Sequence, residues 1–522
     1  VIHIWLDTAL LAQITHAGNA SMMCPNECSN HNATPGLGHN ATNTHAAVSV
    51  PVALTSTVPE LMQLYQHTFV IANALHIQHD QDKRWLICNP TGSGKLAVLD
   101  EPAFALLQRF TLPRTLQEVC EEATIEPLRV ARAVSLLTEL DFLQDLTARA
   151  ASTQATSHSL QDDKQMLAVW LHVTNACNLR CHYCYVAKDS EHMAEDTMRR
   201  SVDAVIRSAL LNGYQGIHLT YAGGEATLRL PQVIATHDYA LQQTEIHGLT
   251  LVAGMISNGA AFPVRMIEQL KERHINVALS LDGIAADHDQ QRPLINGAGS
   301  FALVDRTITR LLQHGLVPSI NVTVTQRNLA RLPELLGYIL ARDLPFGLSY
   351  YRDNDCSSRL TDLQFSDTQM IQGMHAAFTY IEKHLPASTL LDALVDKTKM
   401  YGSRTYHCGV GRDYLAINQR GGIASCQMEI ANPLTTIAAE NPLRVIRAER
   451  RGVQAVAVQE KEGCRDCEWR NWCSGGCAML TYRMTGRSDI KSPNCAIYKA
   501  LFPAALRLEA LRLLKYVSPI EI

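Results

Sequence analysis

The chain has 522 residues, 47% of them hydrophobic and 18% charged, and a net charge of -4. That composition is globular rather than disordered, and the charge gives no electrostatic case for nucleic acid or an anionic membrane. No run approaches the roughly eighteen uninterrupted apolar residues of a membrane span, and about three or four domains are expected of this length.

Residues 1–58 are the least patterned part. Cys24-Pro-Asn-Glu-Cys28 precedes a tract rich in Asn, His, Gly, Ala and Thr up to His45. Cys24, Cys28, His31 and His39 are metal-donor types, but the composition reads as a flexible lead. Val1 to Leu11 lacks the basic start of a secretory signal, and Val in place of Met points to a misplaced or alternative start. Fifteen cysteines without an export signal indicate a reducing cytoplasm and metal ligands rather than disulfides.

Residues 59–147 read as a small domain. Phe69–Ile71 and Arg84–Cys88 are strand-like runs around the polar turn Gln78–Lys83. Pro102–Phe110, Thr115–Glu122 and Pro127–Leu140 have helical spacing, and Thr115 with Glu118 fits a capping box. Gly92-Ser-Gly94-Lys95 is not a phosphate loop, because Asn89 stands where Gly is needed and Leu96 where Ser or Thr is needed. The order of elements is winged-helix-like and resembles the leader-peptide recognition domains of ribosomal peptide biosynthesis, of the type found in pyrroloquinoline quinone (PQQ) biosynthesis. An exposed sheet edge there accepts an extended peptide as one more strand. A DNA-binding winged helix would need a basic stripe that Pro127–Leu140 lacks. Residues 148–165 are polar and form a linker.

From Met166 strand and helix alternate. Expected strands are Leu167–Val173, Gly216–Tyr221, Thr250–Ile256, Asn276–Leu281, Pro318–Val324 and Phe346–Tyr351. Expected helices are Glu195–Leu211, Leu230–Gln242, Pro263–Arg273, Phe301–His314 and Arg331–Ala341. The fold class is therefore α/β, a partial (β/α)6 barrel over residues 166–385, with its site at the carboxyl ends of the strands.

Directly after the first strand stands Cys177-Asn178-Leu179-Arg180-Cys181-His182-Tyr183-Cys184, a CxxxCxxC loop. Three thiolates can hold three irons of a 4Fe-4S cluster and leave the fourth open. Zinc sites pair their cysteines differently. With Tyr183 before its last cysteine, the loop resembles that of the radical S-adenosylmethionine (SAM) enzymes. Gly223-Gly224-Glu225 follows the second strand, Ser257-Asn258 the third, and Ser280-Leu281-Asp282 the fourth. By resemblance, Tyr183, Gly223, Gly224, Glu225, Ser257, Asn258, Ser280 and Asp282 line the SAM site. The family usually has Pro where Ala226 stands. No catalytic acid or base is assigned; Tyr221, Tyr350 and Asp353 are strand-end candidates.

Residues 386–496 carry Cys408, Cys426, Cys464, Cys467, Cys473, Cys477 and Cys495. This order closely resembles the cysteine signature of the SPASM extension of radical SAM peptide maturases. The resemblance implies two auxiliary 4Fe-4S clusters, one on Cys408, Cys426 and Cys477 and one on Cys464, Cys467, Cys473 and Cys495. Three clusters are then expected in all. Cys356, His407 and Asp413 are candidates to complete the three-cysteine set, and a substrate thiolate is the alternative. A zinc ribbon is the competing reading of the four-cysteine run. Residues 497–522 form a C-terminal helix.

The resemblance implies cleavage of SAM to a 5′-deoxyadenosyl radical, an electron donor such as a flavodoxin or ferredoxin, and a precursor peptide held by its leader. Thioether formation or another cross-link is the expected product class. Two alternatives stand beside it. One is oxidation of a Cys or Ser in a protein target, as in sulfatase maturation. The other is a non-catalytic iron–sulfur or zinc scaffold that only binds peptides.

Overall fold

Strands with apolar residues at every second position must find a sheet, and helices with an apolar stripe must cover it. The computed structural model describes residues 2–7, 56–80, 82–122, 126–151 and 166–522. The Cys24, Cys28, His31 and His39 set lies outside the described residues, as does nearly all of the expected linker. The chain divides into one body of residues 1–161, 401–403 and 510–522 and another of 162–400 and 404–509. Among the described residues no helix is long and apolar enough to cross a membrane.

The smaller body contains β1 (His3–Trp5), β2 (Thr68–Ile71), β3 (His76–Asp80), β4 (Arg84–Cys88), β5 (Leu96–Leu99), β6 (Arg114–Thr115) and β7 (Leu143–Asp145). A last strand, β17 (Ile520–Glu521), returns to it from the other end of the chain. Two sheets result, β17-β1-β5-β4-β3 and β6-β2-β7. Helices Glu101–Gln108, Leu116–Glu122 and Pro127–Glu139 pack with them around Ile87, Leu99, Leu107, Phe110, Val134 and Leu137. Asp100 caps the first helix by accepting from the Ala103 amide at 2.9 Å. The Thr115/Glu118 box forms, with Glu118 N–H to Thr115 Oγ1 at 3.2 Å and Thr115 N–H to Glu118 Oε2 at 2.8 Å. Lys95 donates to the Glu139 carbonyl at 2.6 Å, so its ammonium is spent inside the body.

Three expectations are corrected here. Arg84–Cys88 pairs with His76–Asp80, and Phe69–Ile71 belongs to the other sheet. β3 is an edge strand, so its polar residues stay near water and its sequence reads as a turn. Phe69 instead buries edge-on against Phe110, with ring centroids 6.0 Å apart. The flexible lead assigned to residues 1–58 does not include β1, whose Ile4 is wholly buried. The C-terminal helix, Cys495–Tyr516, is followed by a strand rather than closing the chain.

The larger body is an α/β fold built on a run of six parallel strands. Its strands are β8 (Met166–His172), β9 (Gly216–Ala222), β10 (Thr250–Ser257), β11 (Ile275–Ser280), β12 (Ser319–Val324) and β13 (Phe346–Tyr350). They lie in chain order and pair in parallel throughout. Helices Glu195–Leu211, Leu230–Ile246, Val264–Glu272, Phe301–Gln313 and Leu332–Leu340 connect them. Along β8, Leu167, Val169 and Leu171 are buried at every second position, each worth roughly 1.5–3 kcal/mol of transfer free energy. Beyond β8 the sheet continues through β14 (Tyr414–Ile417), β15 (Gly422–Ala424) and β16 (Thr435–Thr436). β14 runs parallel to β8, pairing Tyr414 with Ala168 and Ile417 with Leu171.

Candidate functional site

The cysteine loop leaves the carboxyl end of β8 and is pinned from two sides. On one side it pairs with the segment after β11: Arg180 N–H donates to the Pro293 carbonyl at 2.8 Å, His182 N–H to Gln291 at 3.0 Å, and Ile295 N–H to Asn178 at 3.0 Å. On the other it meets the end of β9, where Gly224 N–H donates to the Thr174 carbonyl at 2.7 Å and Glu225 N–H to Ala176 at 2.9 Å. A Cβ on Gly224 would sit 2.3 Å from the Ala176 oxygen. Gly223 has φ of 149°, and its Cβ would meet the Thr174 oxygen at 2.4 Å. Both glycines are thus required by backbone-to-backbone contact with the cysteine loop.

Cys177, Cys181 and Cys184 form one electrostatic group. Burial pushes the Cys181 thiol up to about 11, against the pull of the Arg292 guanidinium, and the other two thiols add to the rise. Burial likewise raises Cys177. The Lys188 ammonium lies 2.8 Å from Cys184 Sγ, and all three thiols raise its pKa against the effect of burial. A three-sulfur set with a cation beside it suits an anionic iron–sulfur cluster, because such groups are held by thiolates and tuned by hydrogen bonds to sulfur.

The expected SAM-site residues lie around the same strand ends. Glu225 is buried, and its carboxylate is filled by protein donors. Oε1 accepts from Thr227 N–H at 3.1 Å, Thr227 Oγ1 at 2.6 Å and Ser257 Oγ at 2.8 Å, and Oε2 accepts from Asn258 N–H at 2.7 Å. Glu225 therefore clips the end of β9 to the end of β10. Asn258 Nδ2 donates to Asn178 Oδ1 at 2.8 Å, tying β10 to the cysteine loop. Ser280 closes β11. Asp282 is buried, accepts from Thr323 N–H at 2.7 Å, and bonds the Tyr183 hydroxyl and Arg292 through its other oxygen. Arg292 also donates to the Tyr183 hydroxyl. His288, buried beside Arg292, is held down at about 3 by burial and by that cation.

Among the base candidates, Tyr221 packs against His237 with centroids 6.2 Å apart, and Tyr350 packs against Phe365 and Tyr498. Neither hydroxyl meets a hydrogen-bond partner among the described residues. Burial raises both pKa values far above the usual phenol range. Asp353 accepts from Tyr351 Oη at 3.4 Å.

Electrostatic coupling links Cys408, Cys426 and Cys477 with one another, and links Cys464 and Cys473 with Cys467 and Cys495. Burial lifts Cys408 to about 11, with Cys477 adding to it, and raises Cys426 with help from Cys477 and Cys408. Burial lifts Cys464 to about 11 and Cys473 to about 12, and each feels Cys467 and Cys495. Buried Lys461 feels Cys464, Cys408, Cys473 and Cys477, and so stands between the two groups. Arg352, whose pKa Asp396 and Cys477 raise against the effect of burial, pairs with Asp396 at 2.9 Å, while Tyr498 Oη donates to the other Asp396 oxygen at 2.5 Å. Cys356 couples with Cys184 and Lys188, and its thiol reaches the Tyr185 carbonyl at 3.5 Å. His407 Nδ1 is 3.1 Å from the Cys473 carbonyl. Asp413, by contrast, contributes to the rise of Cys408. Among the described residues no three His, Cys, Asp or Glu side chains converge as a ready cage for a single metal ion.

Sequence reasoning missed Lys188, Arg292, Arg352 and Asp396. No spacing rule marks them; each is a polar residue in a loop, and only the fold brings Lys188, Arg292 and Arg352 near cysteines and Asp396 to Arg352.

Residues 171–336 match the profile of the Radical SAM superfamily, so the chain contains a radical SAM domain, the domain of a class of enzymes. The Fe-coproporphyrin III synthase of Methanosarcina barkeri is 29% identical over 200 residues, 37% of this chain and 46% of that one. The PqqA peptide cyclase of Granulibacter bethesdensis is 23% identical over 344 residues, 63% of this chain and 86% of that one. The chain spans about half the length of the first curated relatives it matches, 57% and 46%. The solved structure of native anSMEcpe with bound AdoMet and Cp18Cys peptide aligns with a TM-score of 0.53 at 17% identity, over 67% of this chain and 98% of that one.

Proposed function

We propose that the chain is a radical SAM maturase that modifies a ribosomally made peptide, with a thioether or other cross-link as the product class. The observation that carries this is the grouping of ten thiols into three neighbourhoods, one of them on the loop where a radical SAM domain places its cluster. The likeness to the PqqA peptide cyclase supports a peptide substrate.

Cys177, Cys181 and Cys184 would hold the first 4Fe-4S cluster, and SAM bound beside it would supply a 5′-deoxyadenosyl radical. The chain's own part is positional. Gly223 and Gly224 let β9 lie against the loop, Glu225 and Asn258 lock β10 to it, and the Tyr183–Asp282–Arg292 set locks β11. Lys188 and Arg292 place positive charge beside the thiolates. Cys408, Cys426 and Cys477, and then Cys464, Cys467, Cys473 and Cys495, are the ligands of two auxiliary clusters. Asp413, His407 and a substrate thiolate are the candidates to complete the three-cysteine set, since Cys356 couples instead with Cys184. The smaller body captures the leader, and a flavodoxin or ferredoxin supplies electrons.

Anaerobic reconstitution should give about twelve irons per chain for three clusters. Joint replacement Cys177→Ala, Cys181→Ala and Cys184→Ala should remove about a third of the iron and all reductive SAM cleavage. Zinc in place of iron, or unchanged cleavage, overturns the reading. Likeness to serine-type and cysteine-type anaerobic sulfatase-maturating enzymes supports a second product class, oxidation of a Cys or Ser side chain. Mass spectrometry of the product separates the two, because an oxidised side chain does not join two residues.

A further inference from the structure

In the smaller body, β1 is not an edge ornament. It lies between β5 and β17, antiparallel to both, with Ile4 opposite Leu99 and Ile520 and Trp5 opposite Val98. Ile2, Ile4 and Leu6 enter the core at every second position and are 2%, 0% and 3% exposed. On the other face the Arg84 guanidinium sits 4.5 Å from the Trp5 ring. Asp100 holds the strand by a polar clasp. Its Oδ2 accepts from His3 N–H at 3.0 Å and lies 2.8 Å from His3 Nδ1, and its own N–H donates to the His3 carbonyl at 3.2 Å. Ile2 and Ile522 exchange a pair of backbone bonds at 3.0 Å each. Asp7 pairs with Arg512 at 2.8 Å.

These are the parts of a strand-addition seat: a ladder on both sides for any extended chain, sockets for alternate apolar side chains, and one carboxylate to fix register. The ladder segment itself is only three residues long, at the short end for strands. Without β1, β5 would present an unpaired row of backbone groups above an open apolar floor. We propose that residues 2–7 occupy in cis a seat for extended peptides with apolar residues at alternate positions, and that an incoming precursor segment takes it by strand exchange with β1. This deepens the peptide-capture part of the function proposed above and rests on it for the identity of the partner.

The arrangement has a thermodynamic consequence. A peptide's apparent affinity is reduced by the fraction of molecules whose seat is filled. Weakening β1 should therefore strengthen binding in trans, the reverse of what losing a contact residue does.

The test uses the 522-residue chain and a fluorescent peptide with the sequence of residues 1–7, VIHIWLD, beside a scrambled peptide. Ile4→Asp puts a carboxylate into the core face of β1 and should raise affinity for VIHIWLD by about tenfold or more, without raising that for the scrambled peptide. Ile4→Ala, a milder change, should shift it in the same direction by less. Protection of Pro127–Glu139 from hydrogen exchange identifies the preparations whose body is folded. In the unaltered chain, excess VIHIWLD should increase hydrogen exchange of Ile2–Leu6 while Leu96–Leu99 stays protected, since one strand replaces another. Equal affinity in the unaltered chain and both variants, or peptide binding with β1 still protected, overturns the proposal. Reductive SAM cleavage by the same preparations reports separately on the maturase reading, so failure of one is distinguishable from failure of the other.

Discussion

Gly224→Ala probes the seam between β9 and the cysteine loop. The added Cβ would lie 2.3 Å from the Ala176 oxygen and 2.5 Å from the Asn175 oxygen. Both are backbone atoms, so no side-chain rotation relieves the contact, and the loop must retreat by about 1 Å to reach ordinary separation. Retreat breaks two short bonds, Gly224 N–H to Thr174 at 2.7 Å and Glu225 N–H to Ala176 at 2.9 Å. At about 1 kcal/mol each, with about 1–3 kcal/mol for an overpacked interior, the variant should lose roughly 3–5 kcal/mol. The loss falls one residue before Cys177, so iron retention by the cluster proposed on Cys177, Cys181 and Cys184 should suffer more than that of the two proposed auxiliary clusters. Denaturant unfolding gives the stability change, and iron analysis with the SAM-cleavage rate gives the local effect. A variant with an unchanged midpoint and a full iron complement would refute the claim that these glycines serve the cysteine loop.

Glu225→Gln should cost about 1–3 kcal/mol in a denaturant titration, because either amide orientation sets a donor against an N–H, that of Asn258 or of Thr227; an unchanged midpoint contradicts this. Arg352→Met removes the cation coupled to Cys477 and leaves Asp396 buried. The cluster proposed on Cys408, Cys426 and Cys477 should titrate at a more negative potential in a redox titration followed by electron paramagnetic resonance, and a potential that does not move argues against that coupling. His218 is held at about 4 by burial, below its ordinary value. The unfolded chain therefore binds the extra proton first, and stability should fall from about pH 6.5 downward by up to roughly 3 kcal/mol at pH 4. His218→Gln should flatten that part of the thermal-stability profile of the apoprotein, and an unaltered slope would exclude His218 as its source.

The barrel was legible because each strand and helix repeats its own period and each boundary carries a turn signal. The expected and observed spans of Glu195–Leu211 coincide, and the other barrel elements differ only at their ends. The CxxxCxxC loop stands out by its spacing, whereas the two C-terminal cysteine sets rest on the resemblance, since spacing alone would put Cys477 with Cys473. What escaped was non-local. β3 carries His76, Gln78 and His79, which have no strand-like alternation because an edge strand need not bury a face. β1 and β17 are too short to show a period, and each is defined by a partner far along the chain. The place of Glu225 after the second strand could be read, but not the four protein donors that fill its carboxylate. Lys188 and Arg352 reach sulfur only through folding.

β14 has a consequence for how the larger body can be divided. It follows Cys408, precedes Cys426, and runs beside β8, the strand that delivers Cys177. A truncation at residue 385 would strip β8 of a neighbour and bare one side of the strand beneath the cysteine loop. The cysteine-rich segment is thus structurally continuous with the barrel, and the two should melt as one cooperative unit. Grafting that segment onto another barrel would need a compatible first strand, because the joint is a ladder of backbone bonds rather than a hinge.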